Sequence, residues 1–261
     1  MDYAHARHAG NAGDVWKHAA LVAALSELTR AEEPLSYLET HAGDGLYPLG
    51  SSGEWGDGIQ RVFGVRDGLV GRYADLVRAF SAPAASRPAA YPGSPSIAAR
   101  LLRPGDASTL YEIDARAAAL LRKTVPSAEV READGLGAEA DAAARTLVLI
   151  DPPFTQKQEW TDAARTAARL SESAAVLFWY PIKALTRPRA LLAELGKLGM
   201  RGVAVELHWT PLRLKRERLN GAGMIFAGAA RAALPAFMAA VPELGALLQT
   251  HGEWTSVQIG F

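Results

Sequence analysis

The chain has 261 residues, 49% of them hydrophobic, so it can bury a full core as one large domain or as one domain with an insertion. Its 28 basic and 28 acidic residues balance, which argues against coating nucleic acid by bulk charge but leaves room for a local basic patch. Zero cysteines exclude disulfides and thiolate metal sites. No window is expected to be apolar enough to cross a bilayer and the N-terminus lacks an export signal, so the expectation is a soluble cytoplasmic protein with no membrane partner.

In chain order, the first element is a helix over residues 15–29, with Asp14 at its N-cap. Apolar runs bounded by turn residues then predict strands at 35–40, 109–113, 129–132, 146–150, 174–180, 203–209 and 223–227. Helical stretches at 96–102, 115–124, 160–170, 188–198 and 235–248 lie between or after them. Between residues 50 and 92, two short amphipathic helices at 59–65 and 69–80 and an Ala/Pro/Ser linker interrupt the alternation. Residues 50–92 are therefore read as a helical insertion subdomain, and residues 1–49 and 93–261 as the main domain.

Strands alternating with helices imply a mostly parallel sheet whose ligands sit outside the carboxyl ends of the strands. The last two strands are joined by the loop 211–220 rather than a helix, so they pair as a hairpin and leave one antiparallel strand. A seven-stranded α/β sheet of this kind, Rossmann-like with one reversed strand, is the pattern of a class I methyltransferase.

The strand ends carry the candidate chemistry. "LETHAGDG" ends the first strand with small residues that let backbone approach a ligand, but it is neither a dinucleotide fingerprint nor a Walker loop, so a nucleoside cofactor without a phosphate group fits better. Glu112 in "TLYEID" suits ribose hydroxyls, while Asp114 serves equally as a helix cap. Asp134 and Gly135 in "READG" offer an acceptor for an adenine amine and room for a ring, or simply an Asp-Gly turn. "DPPF" ends the fourth strand: two prolines fix an acceptor-rich corner where the Asp151 carboxylate and the Pro152 carbonyl can hold an amine, and Phe154 offers a face for a planar base. An amine so held aims its lone pair at an electrophilic methyl group. The histidines alone suggest a metal only weakly, and no metal is expected. The basic run Arg213, Lys215, Arg216 and Arg218 reads as a solvated loop or, with Lys17, as phosphate contacts.

Asp-Pro-Pro-Phe is a variant of the motif of S-adenosylmethionine-dependent amino-methyltransferases. Together with "HARHAGNAGDVWKH", "YLETHAG", "YPGSPSIAARLL", "TLYEID", "ADG", "WYPI" and "GAGMI", it resembles the bacterial 23S ribosomal RNA adenine-N6 methyltransferase family of the RlmJ type over nearly the whole chain. The resemblance implies an enzyme that binds S-adenosyl-L-methionine, releases S-adenosyl-L-homocysteine, and methylates N6 of one adenine in 23S ribosomal RNA, with no obligate protein partner. It places His18, His41, Ser94, Glu112, Asp134 and Gly135 on cofactor positions and Asp151 on the catalytic one. It also puts Tyr3, His5, Lys17, Pro152 and Phe154 near the substrate adenine. Phe154 stands where many relatives carry Tyr. The alternatives are a DNA adenine methyltransferase sharing these residues, and a non-catalytic RNA- or cofactor-binding protein of the same fold.

Overall fold

The computed structural model describes residues 8–214 and 219–261. Helix α1, Ala12–Leu28, precedes every strand. Asn11, not Asp14, is its N-cap: the Asn11 side chain accepts the Asp14 N–H at 3.0 Å, while Asp14 sits in the first turn and accepts the Gly10 N–H at 2.9 Å. The run "WKHAALVAAL" is apolar on nearly every face, so the helix is buried almost all round.

Strand β1, Ser36–Glu39, is followed by β2, Leu46–Pro48, then a 3-10 turn, α2 at Ile59–Val62, α3 at Gly68–Arg78 and β3 at Ala90–Pro92. Neither β2 nor β3 was expected from the sequence; they pair antiparallel and close the neck of the 50–92 excursion. Val70, Tyr73 and Val77 of α3 join the same core cluster as Trp16 and Leu21 of α1.

The chain continues through α4 (Ser94–Leu101), β4 (Ala107–Tyr111), α5 (Ala115–Thr124), β5 (Glu129–Arg131), β6 (Thr146–Ile150) and α6 (Lys157–Ser171). It ends with β7 (Ala175–Ile182), α7 (Thr186–Lys197), β8 (Gly202–His208), β9 (Gly221–Ala227), α8 (Leu234–Leu248) and β10 (Thr255–Gly260). Among the described residues the main sheet has eight strands in the order β10-β8-β9-β7-β6-β1-β4-β5. From β5 to β7 the pairing is parallel, and β9 runs against both β7 and β8. This is the class I methyltransferase arrangement with the expected β8–β9 hairpin.

Two details differ from the expectation of seven strands and one reversal. β10 adds an eighth strand, antiparallel to β8, so two strands run against the rest. Its residues are mostly exposed at the sheet edge, which is why "TSVQIG" lacks the apolar run that marks the others. Strand β6 is buried throughout, as its unbroken "TLVLI" demands of a strand covered on both faces.

The expectation that no segment is apolar enough to span a bilayer also needs correction. Gly228–Leu248, a 3-10 turn running into α8, is 21 residues long and meets the length and composition of a spanning helix. In this fold its apolar side lies on α1 and the sheet: Phe237 meets Trp16 edge-on at 4.7 Å and Phe226 at 5.2 Å between ring centroids. Phe237 is fully buried, so Phe237→Ala is expected to destabilise the protein by about 3–5 kcal/mol. Chemical denaturation in aqueous buffer, with the midpoint falling at an unchanged slope, checks this.

Candidate functional site

The carboxyl ends of β1, β4, β5, β6 and β7 face one crevice, and α1 presents its first turns to the same place. Asp151 follows directly on β6. Its Oδ2 accepts a hydrogen bond from Lys17 Nζ at 2.5 Å, and the same ammonium lies 3.0 Å from Asp14 Oδ1. Burial lowers the Lys17 pKa, but the Asp14 and Asp151 carboxylates outweigh it and hold the ammonium well above its ordinary value. Burial likewise raises Asp14, and Lys17 outweighs that, so Asp14 titrates below the usual carboxylate range. Lys17 is only 8% exposed. It is the buried partner of Asp151, which corrects its reading as a phosphate contact.

At the corner, Pro152 is buried and Pro153 exposed. Phe154 has a left-handed backbone at φ 52° and is buried. Its ring tilts on Trp160 at 4.3 Å and lies near Phe178 and Trp179, both just over 6 Å away. The free stacking face expected of Phe154 is therefore turned into the core.

Around the rim, Glu112 ties two loops together. Its Oε2 accepts the Gly43 N–H and its Oε1 the Asp114 N–H, both at 2.8 Å. Gly43 sits at φ 66°, the left-handed conformation that brings its N–H onto this carboxylate. Asp114 does cap α5, accepting the Ala117 N–H at 2.8 Å. Next to Glu112, Ile113 is 71% exposed, a large apolar side chain left uncovered at the rim.

Asp134 caps a short 3-10 turn by accepting the Leu136 N–H at 2.9 Å. At Gly135 a Cβ would overlap the Thr40 carbonyl, so this loop packs directly on the end of β1. His41 bonds Thr40 Oγ1 through Nδ1 at 2.8 Å. Burial lowers its pKa against the opposing pull of Asp151, Asp134, Glu112 and Glu159, and the net direction is down.

Below this surface lies a second polar layer. Glu39, at the end of β1, is fully buried and accepts hydrogen bonds from Ser94 Oγ and from Tyr37 Oη, the latter at 2.8 Å. Burial pushes its carboxyl up to about 8, although both hydrogen bonds and Lys17 pull it down. His18 is 1% exposed; its Nδ1 shares a hydrogen bond with Tyr91 Oη at 2.6 Å, and Tyr91 in turn with Tyr73 at 2.8 Å. Burial, then Lys17, push the His18 imidazole down to about 3, so it is neutral. Its Nε2 is buried with no protein partner.

Of the residues singled out in the sequence, Asp151, Lys17, His41, Glu112, Asp134 and Gly135 meet at the crevice. His18 and Ser94 lie beneath it. Tyr3, His5, Lys215, Arg216 and Arg218 fall outside the described residues, and Arg213 is paired with Glu253. Glu39 and Ile113 were missed. A lone acid inside the apolar run "LSYLE" is the signal that finds Glu39, because an unpaired buried charge is too costly to be incidental.

Residues 32–259 match the family described as ribosomal RNA large subunit methyltransferase D, RlmJ. The chain belongs to that family. It is 32% identical over 243 residues to ribosomal RNA large subunit methyltransferase J of Escherichia coli K12, covering 86% of each chain. With the protein of the same description from Haemophilus influenzae it shares 29% identity over 220 residues, 78% of each. A crystal structure of a Legionella pneumophila protein superposes with a TM-score of 0.86 at 25% identity, covering 97% of this chain and 98% of that one. The family expected from the motifs is the one found.

The raised Glu39 carboxyl has a definite pH signature. In the folded protein it keeps a proton that the unfolded chain releases above about 4.5, so its stabilising contribution is complete below that pH and is lost as pH rises toward about 8. Glu39→Gln is therefore expected to gain on the wild type by more than about 1 kcal/mol between those limits. Denaturation midpoints of both proteins across the same pH range check it; parallel curves would contradict the buried acid.

Proposed function

We propose that this protein transfers a methyl group from S-adenosyl-L-methionine to the exocyclic N6 amine of one adenine in 23S ribosomal RNA. The observation that carries this reading is the Asp151 carboxylate at the Asp-Pro-Pro-Phe corner, fixed through one oxygen by Lys17 and with its side chain still 18% exposed. The large-subunit RNA as substrate rests on the family and on relatives named for it.

The crevice suits the cofactor. Glu112 can accept from ribose hydroxyls, Ile113 offers its uncovered side chain to the adenine face, and Asp134 retains acceptor capacity for the adenine amine. The orphaned Nε2 of His18 fits a polar group or water at the floor of the same cavity. Ser94 acts from below by holding Glu39. When bound, S-adenosyl-L-methionine supplies the activated methyl group, and S-adenosyl-L-homocysteine is released.

The chain's own residues hold and orient the target. Asp151 and the Pro152 carbonyl accept the two N6 protons, which turns the nitrogen lone pair toward the methyl group. Two carboxylates and one ammonium leave the Asp14–Lys17–Asp151 group one net negative charge, which stabilises the positive charge that develops on the nitrogen. Asp151 then takes the departing proton. For a base to stack at Phe154, that ring must swing out of its cluster with Trp160; leaving the left-handed region also relieves roughly 1–3 kcal/mol of backbone strain. Tyr3 and His5 are assigned to the substrate side on the resemblance alone. Residues 50–92 serve as a back wall, since Tyr73 and Tyr91 hold the His18 ring.

Asp151→Asn keeps the shape of the side chain and removes its charge. It is expected to cut methyl transfer to a large-subunit RNA fragment by about 10²–10⁴-fold, while cofactor affinity by calorimetry changes little. A transfer rate near that of the wild type would overturn the assignment.

A further inference from the structure

A second cavity, of about 230 Å³, opens between the end of β8 and the start of β10, lined by His208, Leu212, Arg213, Glu253 and Trp254 among others. β8 runs in the same direction as β6 and β7, with the reversed β9 between. His208, the last residue of β8, therefore lies on the same rim as Asp151. Three strand spacings separate them sideways, about 14 Å, and the register sets His208 three residues, about 10 Å, beyond the level of Asp151, so they lie roughly 17 Å apart.

The walls of this cavity are fixed in ways that suit a flat ring. The Trp254 indole lies against α8 at Gly245, where a Cβ would overlap the ring, so one face is pinned and the residue remains half-buried. His208 is 7% exposed and its Nε2 lies 3.2 Å from Glu206 Oε2. Glu206 is itself fully buried and held by Tyr180 Oη at 2.9 Å and by both terminal nitrogens of Arg189 at 2.8 and 3.1 Å. The histidine wall therefore rests on a satisfied network rather than on solvent. Across the mouth, Arg213 and Glu253 pair with each other and present a donor and an acceptor side by side.

The volume is below the ~300–1,000 Å³ of pockets that hold whole cofactors, and is the size for a single ring system. Between it and Asp151 runs the connection after β7, where Lys183 and Arg187 are exposed. Cations on that path suit a phosphate backbone passing from one site to the other. Single-stranded RNA is recognised by this combination: an aromatic face for the base, polar groups for its edge and cations for its phosphates.

We propose that the pocket takes one unstacked nucleobase flanking the target adenine, stacked on Trp254 and read at its edge by Glu253 and Arg213. This rests on the RNA methyltransferase reading above. At a stacked rise of about 3.4 Å per nucleotide, the base lies within about five nucleotides of the target, and closer where the strand is unstacked. Guanine matches best, with two donors on one edge for Glu253 and an acceptor for Arg213.

The test is an abasic scan. Methyl transfer by the full chain is measured on large-subunit RNA fragments in which each nucleotide within about five of the target loses its base in turn. One position is expected to raise KM by roughly 5- to 150-fold in the wild type, the range for one base–aromatic stack. In Trp254→Ala the unmodified fragment should already show the raised KM, and the abasic change should add less than twofold. Glu253→Gln, an exposed and isosteric change, should shrink the same penalty and keeps the test open if the tryptophan variant does not fold. If the wild type methylates the fragment but no flanking base matters, or the penalty persists in both variants, the pocket assignment is wrong while the RNA reading stands. If the wild type methylates no ribosomal RNA, the RNA reading fails and the pocket with it.

Discussion

The Lys17 ammonium, held between Asp14 and Asp151, ties the helix that opens the fold to the end of the central strand. A buried ion pair adds little net stability, because desolvation consumes most of the attraction. Removing one member, however, strands an uncompensated charge. The triad thus fixes where α1 lies relative to β6, and with it which oxygen of Asp151 is taken by Lys17. The buried layer follows from the same placement, since α1 also carries His18 onto Tyr91 while Glu39 sits within reach of the Lys17 and Asp151 charges.

Charge is segregated around this centre. Acids collect at the strand ends, where Glu112, Asp134 and Asp151 all pull the His41 pKa upward against its burial. Exposed cations lie apart from them, along the connection after β7. A neutral chain can in this way present an acceptor-rich site to a sulfonium cofactor and an amine, and still offer a positive approach to phosphates. Net charge alone conceals that arrangement.

Much of the architecture was legible because its signals are local. The unbroken apolar run of β6 and the helix-free loop between β8 and β9 encode a parallel sheet with a hairpin. β10 escaped because an edge strand needs no apolar face, and its pairing with β8 is a long-range event. The placement of Glu112, Asp134 and Asp151 after the carboxyl ends of β4, β5 and β6 was legible, because each acid follows closely on an apolar or alternating run. The site was misread where the outcome depends on packing across the fold: Lys17 looks like a surface cation until Asp14 and Asp151 close on it, and Phe154 looks free until Trp160 covers it. The packing role of Gly135 was not legible, because nothing local reveals that the Thr40 backbone passes beside it.

The central claim is that this crevice methylates one adenine of large-subunit ribosomal RNA. Mass spectrometric mapping of that RNA from cells with and without the gene tests it most directly. The account predicts that a single N6-methyladenine disappears when the gene is removed and returns with the wild-type chain. An unchanged pattern of N6-methyladenine would contradict it.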